Sequence, residues 1–319
     1  MGYLITFSMR NAYLELTKAC SLDCIFCSLG GNKKSSHKLS DMKDFLKRCR
    51  AEGYKKLFIT GGEPLVYEKL EEVVTYAVEL GFAEVTVQTN GIYMTKEKAR
   101  SLKSAGLGQA IFSIHSHDPA MEDALMSGVG ILEKQLGGLM NAHNVGLDTP
   151  VTVVIVQQNY KMLPDFIRFM VEKYPFVRHY TFNFVDPVGR ARDNKEVVPR
   201  ISHIEPFLMR SLAFLVNEGK TFRIERVPLC YILEFSEYST ELRRIVTKEA
   251  NTIMRRVERV SHNDDYFKEQ YVRGDACCTC WIKEICPGVK KGYADLYGTE
   301  EIFPVFVKPE TIVSRAGGD

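Results

Sequence analysis

The sequence has no apolar run long enough to span a bilayer, almost no net charge, a single tryptophan, and no low-complexity tract or repeat beyond its strand–helix alternation. The missing apolar run excludes a transmembrane helix. Forty-two Lys and Arg against 40 Asp and Glu leave a formal charge of +2, so nothing suggests nucleic acid or an anionic membrane as a partner. Residues 1–7 show neither the basic n-region nor the apolar h-region of a secretory signal. A cytoplasmic location is therefore expected. Without secretion, the nine cysteines point to metal or redox chemistry rather than disulfides.

What is present is regular alternation. Strand-like runs at residues 12–16, 56–60, 84–88, 110–114, 151–156 and 179–185 are separated by amphipathic, helix-like segments. In the first of these segments Met42, Phe45, Leu46 and Cys49 share one face, which makes Cys49 a core residue. Each strand runs into a polar or glycine-rich loop, as expected of an α/β fold, a partial (β/α)6 barrel of the TIM type with ligands at the strands' C-terminal edge. Beyond Gly219 the alternation fails. Residues 240–271 read as a charged helix with Leu242, Ile245, Val246, Ala250, Ile253 and Val257 on one face. A barrel domain over 1–220 and a smaller domain over 221–319 are expected.

The cysteines fall into groups. Cys20, Cys24 and Cys27 give C-x₃-C-x₂-C in the loop after the first strand. Three thiolates can hold three irons of a cubane cluster and leave one iron open. Structural zinc competes for any such group, with His37 as the local candidate for a fourth ligand. The second strand enters Gly61-Gly62-Glu63-Pro64, where two glycines let a ligand approach the backbone and the Glu63 carboxylate suits an ammonium group. The same residues would serve an ordinary turn.

The triad, the Gly-Gly-Glu-Pro segment and their order on successive βα units resemble the radical S-adenosylmethionine (SAM) superfamily, and the resemblance covers about two-thirds of the chain. It implies a [4Fe–4S] cluster on Cys20, Cys24 and Cys27, with SAM chelating the open iron and yielding a 5′-deoxyadenosyl radical that abstracts a substrate hydrogen. By the same likeness Gly61, Gly62 and Glu63 hold the SAM amino group, Ser113 bonds its carboxylate or ribose, and Phe26 packs on the adenine. Asn90 and Asn159 sit where strand-end polar groups reach SAM. His115 and His117 could transfer protons or simply cap and pack. Arg190 could bind a carboxylate.

Near the C-terminus, Cys277-Cys-Thr-Cys280 and Cys286, with Cys230 upstream, resemble the SPASM/twitch extension of that superfamily. This implies a second, auxiliary [4Fe–4S] cluster on Cys230, Cys277, Cys280 and Cys286. Cys278 in place of Cys277 is the competing choice, and a zinc knuckle the alternative metal. Tyr231 and Tyr293 could donate hydrogen or only pack, and Trp281 would shield the cluster. The expected substrate is a ribosomal peptide, with a small molecule of cofactor or natural-product synthesis as the alternative and a flavodoxin or ferredoxin as electron donor. A rival of another class is a non-catalytic iron–sulfur carrier or sensor, which would have no need of Gly61–Pro64.

Overall fold

The computed structural model describes residues 10–30, 36–247, 252–255, 260–262 and 269–317. Seven parallel strands lie side by side in chain order: β1 (Asn11–Thr17), β2 (Lys56–Gly61), β3 (Glu84–Thr89), β4 (Gln109–Ser113), β5 (Val151–Ile155), β6 (His179–Phe184) and β7 (Thr221–Glu225). Between them run α1 (Leu39–Ala51), α2 (Leu70–Glu79), α3 (Lys96–Ser104), α4 (Pro119–Met126), α5 (Ile131–Asn144), α6 (Leu163–Lys173), the short α7 (Arg190–Asp193) and α8 (Ile201–Asn217). This is the expected α/β partial barrel with one strand more than the six anticipated.

Side-chain alternation explains why the sheet forms as it does. On β2, Leu57 and Ile59 are fully buried; α1 buries the anticipated face Met42, Phe45, Leu46 and Cys49, and α2 buries Leu70, Val73, Val74 and Ala77. Each such aliphatic or aromatic side chain contributes roughly 1.5–3 kcal/mol of transfer free energy. The alternate strand positions stay partly exposed: Tyr13 and Phe58, stacked at 4.9 Å, then Gln88, Ile111, Ser113, Val154, Asn183 and Glu225. Adjacent strands are in register, so these residues line one inward face.

Two expectations about the C-terminal third need correction. Residues 221–225 pair with β6 as β7, so a domain boundary at 220 would cut through the sheet. Of the helix expected over 240–271 the described residues keep α9 (Thr240–Val246) and a helical pair at 269–270; between them the chain forms β8 (Thr252–Arg255) and β9 (Val260–His262). β8 lies parallel to β1 on the side away from β2, with Asn11 opposite Thr252 and Leu14 opposite Arg255, and β9 pairs antiparallel to β8. An unpaired β1 edge outweighs local helix periodicity, because strand preference depends on the available partner. Ala250 and Val257 lie outside the described residues. The chain continues through the β10–β11 pair (Tyr271–Val272 and Val289–Lys290), α10 (Lys291–Tyr297) and α11 (Pro309–Arg315). Among the described residues no helix is long and apolar enough to cross a membrane.

Candidate cofactor site

The loop carrying Cys20, Cys24 and Cys27 sits at the C-terminal end of β1 and is gripped from three sides. From β2, the Gly62 N–H donates to Thr17 O at 2.7 Å and the Glu63 N–H to Ala19 O at 2.8 Å. A Cβ on Gly61 would lie 2.3 Å from Thr17 O, and one on Gly62 2.2 Å from Ala19 O. The glycines are thus required by the approach of two backbones, whatever ligand also comes near. From α4, the Leu125 and Met126 carbonyls accept from Ile25 and Asp23 N–H, and the Met126 sulfur lies 3.4 Å from the Cys24 sulfur. From the loop after β6, the Arg190 N–H donates to Cys27 O at 2.9 Å and its guanidinium pairs with Asp23. Arg190 therefore braces the cysteine loop rather than waiting for a carboxylate.

All three thiols are half-buried and free of disulfides. Burial first pushes the Cys20 and Cys24 thiols above the ordinary range, followed by repulsion from Glu63 and then Cys27 at Cys20, and from the other two thiols at Cys24. Bound iron reverses that balance, since cationic metal deprotonates a coordinating thiol. Among the described residues no three His, Cys, Asp or Glu side chains stand close enough to hold a single metal ion. Three soft donors on one loop, set wider than a one-ion site, fit an iron–sulfur cluster better than zinc.

Around this loop the structure sorts the other expected residues by what they already bond. Glu63 is fully buried; its carboxylate accepts from the Thr89 hydroxyl (2.7 Å), Asn90 N–H (2.7 Å) and Leu65 N–H (2.9 Å). Burial pushes it up to about 7 against the pull of those three donors. Glu63 thereby ties the end of β2 to the end of β3, an anchoring task that its sequence context does not reveal. Asn90 is largely buried, with its side-chain oxygen accepting from Ile92 N–H at 3.1 Å. Ser113 ends β4 half-buried on the inward face, and its carbonyl accepts from Gln135.

Asn159 requires correction. It is 1% exposed; its NH₂ group donates to His115 O and Val154 O, and its oxygen accepts from Val156 N–H. No amide hydrogen is left for SAM, so Asn159 knits the ends of β4 and β5 together. Phe26 is buried edge-on against the His115 ring at 4.9 Å. Sequence reading missed Thr89, Met126 and the buried Glu122, which accepts from His115 N–H at 3.0 Å and is pushed up to about 8 by burial. None of them carries a local signal; each gains its place from a strand end or helix remote in sequence.

His115 itself is buried, and its Nδ1 accepts from Val154 N–H at 3.1 Å, so the neutral ring carries its proton on Nε2. Burial holds it down to about 3. Below about pH 6.5 the unfolded chain binds a proton that the folded chain refuses, so stability falls as pH falls. Between pH 7 and 5 the loss through this group is about 2 kcal/mol. Urea titrations of His115→Asn, whose amide oxygen can take the place of Nδ1, are expected to show a correspondingly flatter dependence over that window.

A second thiol group lies in the C-terminal region. Cys230, Cys277, Cys280 and Cys286 line one cavity together with Ile302 and Phe303. Cys278 is exposed and outside it. Val305 N–H donates to the Cys280 sulfur at 3.3 Å. Burial, before mutual repulsion, pushes Cys230 up to about 12. The cavity suits the same kind of cluster as the first loop. Reconstituted Cys278→Ala is expected to keep about eight irons per chain and Cys277→Ala to lose up to about four, from cubane stoichiometry. The reverse pattern would assign Cys278.

The neighbouring residues differ from expectation. Trp281 is 54% exposed and meets Phe306 edge-on at 5.9 Å, so it does not shield the thiols. Tyr231 and Tyr293 are packing residues whose hydroxyls both bond Glu301, the first at its backbone oxygen and the second at its carboxylate.

Comparison with known proteins is consistent with this geometry. The Radical SAM superfamily model matches residues 14–170. A probable GTP 3′,8-cyclase from Sulfolobus acidocaldarius is 35% identical over 164 residues, covering 50% of this chain and 52% of its own. The GTP 3′,8-cyclase of Alkaliphilus oremlandii is 32% identical over 219 residues, covering 63% and 67%. The chain thus spans about half to two-thirds of the length of these curated relatives. Among solved structures, Streptococcus suis SuiB bound to its precursor peptide SuiA superposes with a TM-score of 0.69 at 14% identity, over 93% of this chain and 75% of that one. The anSMEcpe structure with AdoMet and the Cp18Cys peptide gives 0.66 at 13% identity, over 96% of both. At such identities the likeness concerns the fold.

Proposed function

The chain belongs to the radical SAM superfamily, and from that premise we propose that it is an enzyme of small-molecule cofactor or natural-product synthesis, with Cys20, Cys24 and Cys27 as ligands of its SAM-binding [4Fe–4S] cluster. When bound and reduced, that cluster and SAM supply a 5′-deoxyadenosyl radical able to abstract a substrate hydrogen, with methionine as the other product. The observation that carries the reading is the triad loop, three half-buried thiols held at the C-terminal mouth of a parallel barrel. Ser113, on the inward face of β4, and the backbone of Gly61 and Gly62, beside the cysteine loop, are assigned to SAM. Glu63 and Asn159 position that mouth from behind. Cys230, Cys277, Cys280 and Cys286 are assigned to an auxiliary [4Fe–4S] cluster in a twitch-like unit that begins after β7. A low-potential flavodoxin or ferredoxin is the fitting electron donor.

The preference for a small molecule over a peptide rests on the curated relatives, which are GTP 3′,8-cyclases. A purine nucleotide is accordingly the first substrate to test. A peptide is the second reading. It is favoured by the structural likeness to peptide-bound enzymes, which extends over 93–96% of the chain.

The test is anaerobic. Reconstituted protein with dithionite and SAM should release 5′-deoxyadenosine, and GTP should accelerate that release. Acceleration by a short cysteine-containing peptide, with none by GTP or other purine nucleotides, would replace the first reading by the second. No release under any of these conditions, from fully iron-loaded protein, would leave the electron-carrier reading in its place.

A further inference from the structure

The loop that follows β6 touches both thiol groups' supports. Its second residue, Asp186, is 12% exposed in its side chain and accepts from Lys290 Nζ at 3.1 Å and faces Arg226 Nε at 3.6 Å. Lys290, 2% exposed, closes β11, four residues beyond Cys286. The next residue, Pro187, is pressed by the same region, since a Cβ on Gly292 would lie 3.1 Å from its carbonyl oxygen. The loop's other end grips the triad. Gly189 adopts φ +57°, and a Cβ there would lie 2.5 Å from the carbonyl oxygens of both Cys27 and Ser28. Beside it the Arg190 N–H donates to Cys27 O at 2.9 Å, and the Arg190 guanidinium pairs with Asp23. The Val188 N–H donates to Asp186 O at 2.7 Å, folding the two ends into one tight turn.

From these contacts we infer that residues 186–190 form a strap through which the C-terminal thiol unit sets the position of the cysteine loop, with Asp186 as the positioning residue. Asp186 reaches neither thiol group. Its buried pairing with Lys290 fixes the turn, and the turn in turn fixes Cys27 and Asp23 by backbone and ion-pair contacts. A displacement of β11 therefore moves the Arg190 N–H that holds the Cys27 carbonyl. Two ligand sites that bias one shared element are thermodynamically coupled, and the coupling is reciprocal. SAM binding is then tighter when the C-terminal unit is in place.

The inference rests on Cys20, Cys24 and Cys27 being the ligands of the SAM cluster, and its test separates the two claims. Full-length protein is reconstituted with iron and sulfide, SAM affinity is measured by equilibrium dialysis, and amide hydrogen exchange over residues 286–292 is followed with and without SAM. Asp186→Asn is expected to keep about eight irons per chain but to weaken SAM binding about tenfold, within the usual range of site–site coupling. Asp186→Glu should restore most of it. SAM should slow exchange at residues 286–292 in the wild type and not in Asp186→Asn, a response that a purely structural residue would not govern.

Should Asp186→Asn fail to fold, Gly292→Ala serves in its place. Its added methyl presses the strap by a few tenths of an ångström without removing a charge, and a weaker SAM affinity with intact iron is again expected. Unchanged affinity and an unchanged exchange response in the variant that loads would overturn the strap while leaving the cluster assignment standing. A wild-type protein that loads iron yet binds no SAM would instead overturn the cluster assignment.

Discussion

Replacing Cys20, Cys24 and Cys27 together by alanine is expected to bring 5′-deoxyadenosine release to background and to cut iron from about eight to about four per chain. The thiols are half-buried in a loop fixed by backbone hydrogen bonds to Gly62, Glu63, Leu125, Met126 and Arg190. Those partners use main-chain atoms, so alanine leaves the loop's framework intact and removes only the donors. The C-terminal cavity should keep its four irons, since none of its lining residues belongs to that loop. Loss of all iron would mean that the two sites assemble only together. Retention of eight would mean that the triad is not a ligand set. Zinc in place of the remaining iron would reassign the C-terminal cavity.

Gly62→Ala is expected to have the next largest effect, for a steric reason alone. The added Cβ would meet Ala19 O at 2.2 Å and Ala19 C at 2.7 Å. Both are backbone atoms of the cysteine loop, so no side-chain rotation relieves the clash. Overpacking against a fixed neighbour costs about 1–3 kcal/mol, and more where the backbone itself must shift. That strain falls on the loop two residues from Gly62's own hydrogen bond to Thr17. The variant should therefore lose SAM binding and most of the N-terminal iron, with a lower denaturation midpoint. Gly137→Ala is the control, because nothing lies within 4 Å of its added Cβ in α5. Alanine there should leave iron unchanged and stabilise the helix by about 0.5–1 kcal/mol. Wild-type iron and SAM affinity in Gly62→Ala would show that the two backbones can separate without cost.

Much of this architecture is legible in the residues because it depends on local pattern. Each of the first six strands is an apolar run ended by glycine or polar groups, and faces such as Met42, Phe45, Leu46 and Cys49 have a period that only a helix buries on one side. The triad is legible because thiols have few other uses in such a chain. What is not legible depends on remote partners. Thr252–Arg255 has helix-compatible spacing and becomes a strand only because β1 offers an edge. Glu63 and Asn159 are residue types that could face a ligand or a protein backbone, and the choice is made by Thr89, His115 and Val154 on other strands. Trp281 lies one residue from a cavity cysteine yet points to solvent, since backbone direction after Cys280 decides what sequence adjacency cannot. Cys277 and Cys278 are neighbours in sequence, and only the turn between them places one at the cavity and the other in water.

The pairing of β8 with β1 also constrains the order of events during synthesis. Asn11 waits for Thr252, some 240 residues later in the chain. At ordinary elongation rates of 5–20 residues per second this is a delay of roughly 10–50 s. During that interval β1 can pair with β2, but its other side remains an open edge, a template for wrong pairings with other chains. The cysteine loop follows directly from that strand. Nascent protein is thus most prone to aggregate while the segment bearing Cys20 is complete and its last neighbour has not left the ribosome. High-level expression should consequently profit more from chaperone supply than from extra iron alone.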